Sequence, residues 1–557
     1  MVIVDTSFNR LQNRIKQKIT LEEINNVLDD MGMELAGVEV SEIKIEITAD
    51  RVDLITPEGI ARAINSYRGF VKGYEKIKIN AGNYLHKVDA AVKKYRPYTR
   101  SFVVKKLKFS EDDIKSIMYV QEKIHDTYGR KRKKVAVGLY DLNKIVFPVT
   151  YCAKNPEEIK FVPLGMDYEL TGRQILQRHH TGRDYAHLLE EFDKFPVQID
   201  FKGQVLSMPP IINSNDAGKI SPETKDIFVE CTGSDEESLD NTMNILATMF
   251  ADLGGEVYSV TIEDGNSSFI CPAMKETKKE ISVDYANKLI GFKLKPNEAV
   301  KCLEKMGYNV DAVNGDKITV SIPPVRTDIW HQVDIADDIA RGYGYNKIAL
   351  TLPNISTIGK MLPENIIIED LRNFLVGFGL IELKTFALTN NISQYKLMNI
   401  EEEEHISLGK NTQDKSLNMI RSWLIPEVIK SLVANRNKEY PQNVFEIGTV
   451  IVPDPKADVR ARNVDKLVCL LCEEKVDFTK AKQILTAVID FLGLEYKIEE
   501  SEHSPFIPGR TGSIMINGKN LGIIGELHPK VITNWQLLMP VVGFELDLEE
   551  LFKQAWK

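Results

Sequence analysis

Four aspartates in one short stretch are the residues of this chain best suited to holding a cation. Asp328 lies in RTDIW, and Asp334, Asp337 and Asp338 follow in DIADDIARGYGYNKI. The last three are spaced i, i+3, i+4, so a helix through them carries all three on one face. Two chemistries suit such a patch. A hard divalent cation such as Mg²⁺ takes oxygen ligands, often a few carboxylates with waters completing an octahedron. Four carboxylates on one patch repel unless something positive sits among them. The alternative is helix capping: acidic groups in a first turn are favoured by the helix dipole, and Arg326 and Arg341 could neutralise them.

A second constellation is mostly uncharged. Asn213, Ser214, Asn215, Thr224, Thr232 and Asp235 cluster around PPIINS and ECTGSD, at the ends of segments that alternate like strands, FPVQIDFKGQVLSMPPI and KDIFVECTGSD. His179, His180 and His187 lie upstream. No Ser–His–Asp order can be read from these positions, because a triad is defined by geometry rather than by sequence. Upstream again, Arg130 to Lys134 form a basic run that reads as a solvated turn, with phosphate contact as its alternative. Cys469 and Cys472 fall in the strand-like KLVCLLCEE. There, residues three apart face opposite ways, which disfavours a shared metal or a disulfide.

The aspartates belong to an element that occurs twice. LEEINNVLDDMG (from Leu21) and PNEAVKCLEKMG (from Pro296) both read as helices closed by Met-Gly. The correspondence then runs without a gap at an offset of 275 residues. Ile43, Ile45 and Ile47 fall on Ile318, Val320 and Ile322; Arg51 falls on Arg326 and Asp53 on Asp328; Ile60, Ala61 and Ile64 fall on Ile335, Ala336 and Ile339. The pattern predicts a duplicated small α+β module: helix, two strands, loop, helix, with Asn314-Gly315 as a hairpin turn in the second copy. The first copy keeps Asp53 but has Gly59, Arg62 and Ala63 where the second has Asp334, Asp337 and Asp338.

At 557 residues the chain is too long for one core. The expected division is an α+β, multidomain chain: a first module over 1–81, a middle domain over 82–265, the second module over 270–347, and an antiparallel-sheet domain over 354–557. A net charge of -9 argues against tight nucleic-acid binding by this chain alone. The sequence lacks a long apolar run, a signal-peptide layout and a disulfide framework, and the expectation is a reducing, cytoplasmic setting.

Taken together, the motifs resemble those of phenylalanyl-tRNA synthetase β subunits of the archaeal and eukaryotic-cytosolic type. MPPIIN with FVECTG is similar to the family's editing domain, and RTDIW with DIADDIARGYGYNKI to its magnesium-bearing module. RSWLIP, VFEIG, PGRTG and GELHP resemble its class-II-synthetase-like core. The resemblance implies an α₂β₂ enzyme that ligates phenylalanine to tRNA(Phe) with ATP. The α subunit would carry the synthetic site, and the β subunit would hydrolyse mischarged tyrosyl-tRNA(Phe). It implies one structural Mg²⁺ per β subunit at Asp328, Asp334, Asp337 and Asp338. It also implies an editing pocket in which Ser214, Thr232 and Asp235 meet the substrate, Asp235 taking the tyrosine hydroxyl, while Leu206 and Asn213 shape the wall. No catalytic residue for aminoacylation is expected here. The strand that bears an arginine in active class-II enzymes reads Phe445-Glu446-Ile447-Gly448, and Gly522 to Glu526 is glycine-rich without a following arginine. A non-catalytic tRNA-binding or assembly factor built from the same domains fits those missing motifs equally, but the intact editing segment favours the synthetase subunit.

Overall fold

The computed structural model describes residues 2–39, 42–265, 267–409 and 414–555. It has a mixed α+β architecture in two compact units, Met1–Leu352 and Pro353–Lys557. Among the described residues no helix is long and apolar enough to cross a membrane.

The first unit contains two three-stranded antiparallel sheets of the same order. In one, strand Ile43–Ile47 lies between Val2–Thr6 and Glu34–Val38; in the other, Lys317–Ile322 lies between Thr277–Ser282 and Asn309–Asn314. Their registers correspond at the offset of 275. Val4 pairs with Ile45 as Lys279 pairs with Val320, and Leu35 with Ile45 as Val310 with Val320. Even the bulge recurs, between Leu35 and Gly37 and between Val310 and Ala312. The helices Leu21–Asp30 and Pro296–Lys305 bury Ile24, Val27 and Leu28 and their counterparts Ala299, Cys302 and Leu303. Each helix stops at a glycine in the left-handed region, Gly32 (φ 77°) and Gly307 (φ 84°), a conformation side chains disfavour. The structure thus adds a third strand to the expected module. The hairpin loop of the second copy is Gly315-Asp316, one residue later than Asn314-Gly315, since Asn314 still pairs with Lys317. Asp316 anchors it by accepting from Ser282 Oγ and the Asp284 amide.

Between the modules lies an eleven-stranded mixed sheet, counted among the described residues. Its strand Ile227–Gly233 is buried throughout and pairs on one side with Tyr98–Lys105 and on the other with Val135–Asp141. Helix Glu236–Asp252 covers this part of the sheet, burying Leu239, Met243, Leu246 and Phe250.

The second unit is built on a seven-stranded sheet whose central strands are antiparallel. Its two faces carry separate cores. Helix Phe478–Phe491 covers one face, with Leu467, Cys469 and Leu471, and helix Ile425–Ala434 the other, with Val468, Leu470 and Cys472. Cys469 and Cys472 therefore lie on opposite faces. Burial pushes their thiols up to about 12 and about 11, which keeps both protonated and inert.

Candidate functional site

A polar site of the first unit is a pocket, partly open to solvent, against the middle sheet. Strand Ile227–Gly233 supplies Glu230 and Thr232 to its wall, helix Glu111–Asp126 supplies Gln121, Glu122 and His125, and the MPPIIN segment supplies Pro210, Ile211 and Asn213. Glu230 is 2% exposed. Its Oε1 accepts from Tyr140 Oη at 2.8 Å, and Tyr140 Oη also lies 2.8 Å from Ser207 Oγ. Oε2 is buried beside Gln198 without a hydrogen bond of good geometry. Burial pushes the carboxyl up to about 7, against the opposing pull of Tyr140 and Arg96. A carboxyl that changes state near neutral pH suits acid–base work and marks a candidate site. Gly138, directly across the strand pair from Glu230, leaves room for this contact: a Cβ there would collide with Tyr140 Oη and Glu230 Oε1.

The rest of the wall is held by charge. Arg132 donates to the Ile211 carbonyl (2.8 Å) and to Glu122 (2.9 and 3.2 Å), and its guanidinium stacks 4.4 Å over Tyr185. It belongs to the basic run read as a solvated turn. Arg130 and Lys131 are exposed as expected, but Arg132 is buried. Arg130, Lys131 and Arg132 have φ of 49°, 52° and 63°, and this left-handed turn aims Arg132 inward. His125 Nε2 accepts from the Val137 amide at 2.8 Å, and burial holds its pKa below the usual histidine value, so the ring is neutral with its proton on Nδ1 towards Glu122.

The five residues expected to form an editing pocket are only partly brought together. Asn213 and Thr232 line the cavity, Thr232 accepting from Arg96 Nε at 2.8 Å and Asn213 donating to the Leu139 carbonyl. Leu206 is fully buried in the adjoining apolar cluster. Ser214 caps the short helix Asn215–Gly218, its Oγ accepting from the Ala217 amide. Asp235 caps helix Glu236–Asp252, accepting from the Ser238 amide at 3.1 Å and facing Lys134 at 3.1 Å. Ser214, Asp235 and Leu206 do not line the cavity. Small polar residues at strand ends serve as helix caps as readily as ligand contacts, and sequence position does not separate the two. Nor do His179, His180 and His187 line it; the His179 and His180 rings meet tilted, with centroids 4.3 Å apart. Glu230, Tyr140, Ser207 and His125 escaped the sequence reading. The one available signal for Glu230 was a charged residue inside an otherwise apolar strand, IFVEC.

The four aspartates of the second module are each engaged separately. Arg326 grips Asp328 through Nε (2.8 Å) and Nη2 (2.7 Å), and Nη2 also donates to buried Asp338 at 2.7 Å, which Tyr308 Oη meets at 2.6 Å. Asp337 is half-exposed and accepts from Arg341 Nε (2.8 Å) and Tyr345 Oη (2.7 Å). Asp334 accepts from the amides of Trp330 and His331, closing the start of helix Gln332–Tyr343. Among the described residues, no group of three or more His, Cys, Asp or Glu is disposed to hold a metal ion. One helix turn carries three of the carboxylates, and two arginines and a cap hold the four separately in this arrangement.

In the second unit, Arg421 of RSWLIP donates to the fully buried Glu446 of VFEIG at 2.9 Å, and Arg510 of PGRTG pairs with Glu526 of GELHP at 2.7 Å. The motif arginines are thereby committed to motif glutamates. A cleft beside them, about 1350 Å³ and open to solvent, is lined by Glu403, Glu404, Glu545 and Asp547 against one lysine, Lys466, itself 2.8 Å from Glu545.

Two stretches match known family descriptions. Residues 348–548 match the phenylalanyl-tRNA synthetase beta chain CLM domain, and 279–345 the tRNA synthetase B5 domain. They define the class: a subunit of an aminoacyl-tRNA synthetase. Over 554 residues, the chain is 37% identical to the phenylalanine–tRNA ligase beta subunit of Pyrococcus horikoshii, covering 99% of each chain. It is 34% identical to that of Methanocella arvoryzae, again over 99% of this chain. The crystal structure of an N-terminal fragment of the P. horikoshii phenylalanyl-tRNA synthetase β-subunit superposes with a TM-score of 0.59 at 34% identity, covering 61% of this chain and 99% of that one. The chain belongs to the phenylalanine–tRNA ligase β-subunit family.

Proposed function

We propose that the cavity around Glu230 is a hydrolytic pocket that removes tyrosine wrongly attached to tRNA(Phe). The observation that carries this reading is a fully buried carboxyl, poised at about 7, in the wall of a pocket lined by polar groups of three elements. Selection by the hydroxyl has a physical basis. A synthetic pocket rejects a substrate that merely adds a hydroxyl by only about a hundredfold, so a second site is useful. In that second site a buried acceptor left unpaired by phenylalanine costs about 1–3 kcal/mol, favouring tyrosine. Glu230, with Tyr140 and Ser207 behind it, suits the hydroxyl; Thr232 and Asn213 suit the ester end. The test is deacylation of preformed tyrosyl-tRNA(Phe) by the full chain, where hydrolysis that Glu230→Gln leaves at the parental rate sinks the assignment.

The synthetic reaction is assigned to a partner α subunit in an α₂β₂ assembly acting on tRNA(Phe) in the cytoplasm. The acidic cleft supports this division, because ATP phosphates require fixed positive charge. The second unit also exposes the apolar side chains Ile366 and Val376 on helix Pro363–Gly377, Phe378 after it, Ile381 on the edge strand and Phe386 beyond. Such exposed apolar groups suit a protein partner.

Magnesium at Asp328, Asp334, Asp337 and Asp338 is a separate proposal. An ion there would have to open the Arg326 and Arg341 pairs, so binding should appear as a Mg²⁺-dependent rise in melting temperature that Asp334→Asn with Asp337→Asn removes. Parent and variant melting alike at every Mg²⁺ concentration would leave the aspartates as ion-paired caps.

A further inference from the structure

We propose that the first module binds a small oxyanion, a carboxylate or phosphate group, at the buried guanidinium of Arg51. The two modules share one register, so their differences can be read position by position. In the second, Arg326 holds Asp328 through Nε and Nη2, Nη2 reaches Asp338 as well, and Nη1 is directed to the Met306 carbonyl at 3.4 Å. In the first, Arg51 holds Asp53 through the same two nitrogens, both at 2.9 Å. Its other two acceptors are gone. The counterpart of Asp338 is Ala63. The counterpart of the Met306 carbonyl, that of Met31, accepts instead from Arg341 Nη1 at 2.9 Å. Arg51 Nη1 is consequently buried with no protein acceptor, in a residue only 4% exposed.

A cavity opens beside Arg51. Arg51, Ala63 and Arg62 line it from the first module, and Arg326 and Lys305 from the second. The carboxylates on its wall are Asp53 and Asp252, already committed to Arg51 and Arg62 respectively. Arg51 and Arg326 lie close enough for each other's positive charge to be felt. Asp328, paired with Arg326, acts on Arg51 as well, so the cations here are balanced overall; what the site lacks is one acceptor, at a desolvated guanidinium nitrogen. A guanidinium with a free edge selects planar or tetrahedral oxyanions through charge-assisted hydrogen bonds. In the second module the chain brings an oxyanion to the same guanidinium, Asp338 on Nη2; in the first, a ligand does so, reaching the unpartnered Nη1.

The test uses the full chain in chloride buffer at fixed ionic strength. Equilibrium dialysis is run separately with radiolabelled inorganic phosphate and with radiolabelled acetate, alongside melting curves over the same concentrations. The expected result is one saturable site per chain for at least one label, with a melting temperature that climbs with its concentration. The arm that binds identifies the anion as phosphate-like or carboxylate. Ala63→Asp supplies the missing carboxylate from the chain itself and should abolish both label binding and the melting response. Lys305→Met, on the opposite wall and outside the Arg51–Asp53 pair, should weaken binding at least threefold and covers the case in which Ala63→Asp does not fold. The proposal is overturned if neither anion binds at a single saturable site, the cavity then holding water only, or if Ala63→Asp and Lys305→Met both bind label as the parent does.

Discussion

The cavity of the middle domain and the cleft of the C-terminal unit dispose of buried charge in opposite ways. In the cleft-bearing unit each motif charge has a partner: Arg421 with Glu446, Arg510 with Glu526, Lys466 with Glu545. Removing one member of the fully buried Arg421–Glu446 pair would cost about 3–5 kcal/mol, the behaviour of a scaffold. In the cavity, Glu230 makes no ion pair among the described residues and has one oxygen short of a good hydrogen bond. An unpaired buried carboxyl lowers stability, and groups of that kind persist where they have work to do. The difference lies in the carboxyls: those of the second unit's motifs are held by arginines, whereas Glu230 is buried without an ion pair, which is why the proposed chemistry is placed at the cavity and not at the larger cleft.

The widest contrast to test is all-or-none. The full chain without an α subunit should hydrolyse tyrosyl-tRNA(Phe) yet give no phenylalanine-dependent pyrophosphate exchange. Exchange above background would show that the acidic cleft holds ATP after all and would break the comparison. Next in size is Glu230→Gln, which keeps the shape and can still accept from Tyr140. Loss of the charged acceptor that reads the tyrosine hydroxyl costs about 1–3 kcal/mol, so deacylation should fall about ten- to a hundredfold, with circular dichroism unchanged.

The same residue sets a pH dependence of stability. Its pKa is raised from the ordinary 4.5 to about 7 in the folded chain. Between those values the folded state holds a proton that the unfolded state has released, so stability falls as pH rises from about 4.5 to about 7 and is level above. A shift of that size corresponds to on the order of 3 kcal/mol. Denaturant titrations of parent and Glu230→Gln across that window should diverge by this amount, the variant lacking the slope. Parallel curves would mean that Glu230 is ionised and solvated, and the contrast with the paired charges of the second unit would vanish.

How much of this was legible in the sequence follows from which interactions have a period. The helix and strand positions of the modules repeat, so Leu21–Asp30 and Pro296–Lys305 align by residue type alone. The strands Val2–Thr6 and Thr277–Ser282 share few side chains and become visible as counterparts only through register. The faces of Cys469 and Cys472 followed from strand alternation. The cavity had no such signal. Glu230, Tyr140 and Ser207 come from three strands, with Gly138 making room, and only the fold brings them together. The aspartates of the second module show the converse limit. Spacing places Asp334, Asp337 and Asp338 on one helix turn, but it cannot show that Arg326 and Arg341 reach them first.

The smallest expected effect separates a cap from a contact. Asp235 holds the start of a helix of 17 residues, its carboxylate accepting from the Ser238 amide and facing Lys134. Its pKa lies below the usual aspartate value, first through that contact with Ser238 and then through Lys134, so the group is ionised at neutral pH. An ionised cap stabilises a helix start by satisfying an orphan amide and opposing the helix dipole. Asp235→Ala should therefore cost about 1 kcal/mol of unfolding free energy. Asp235→Asn keeps an acceptor oxygen and should recover most of that loss. Neither change removes a group from the wall around Glu230, so both variants should deacylate tyrosyl-tRNA(Phe) within about twofold of the parent, a margin well under 1 kcal/mol in barrier height. A hundredfold fall in Asp235→Ala that Asp235→Asn does not rescue, with melting unchanged, would reverse the assignment. It would make Asp235 the hydroxyl-reading group and move the pocket to the far end of strand Ile227–Gly233.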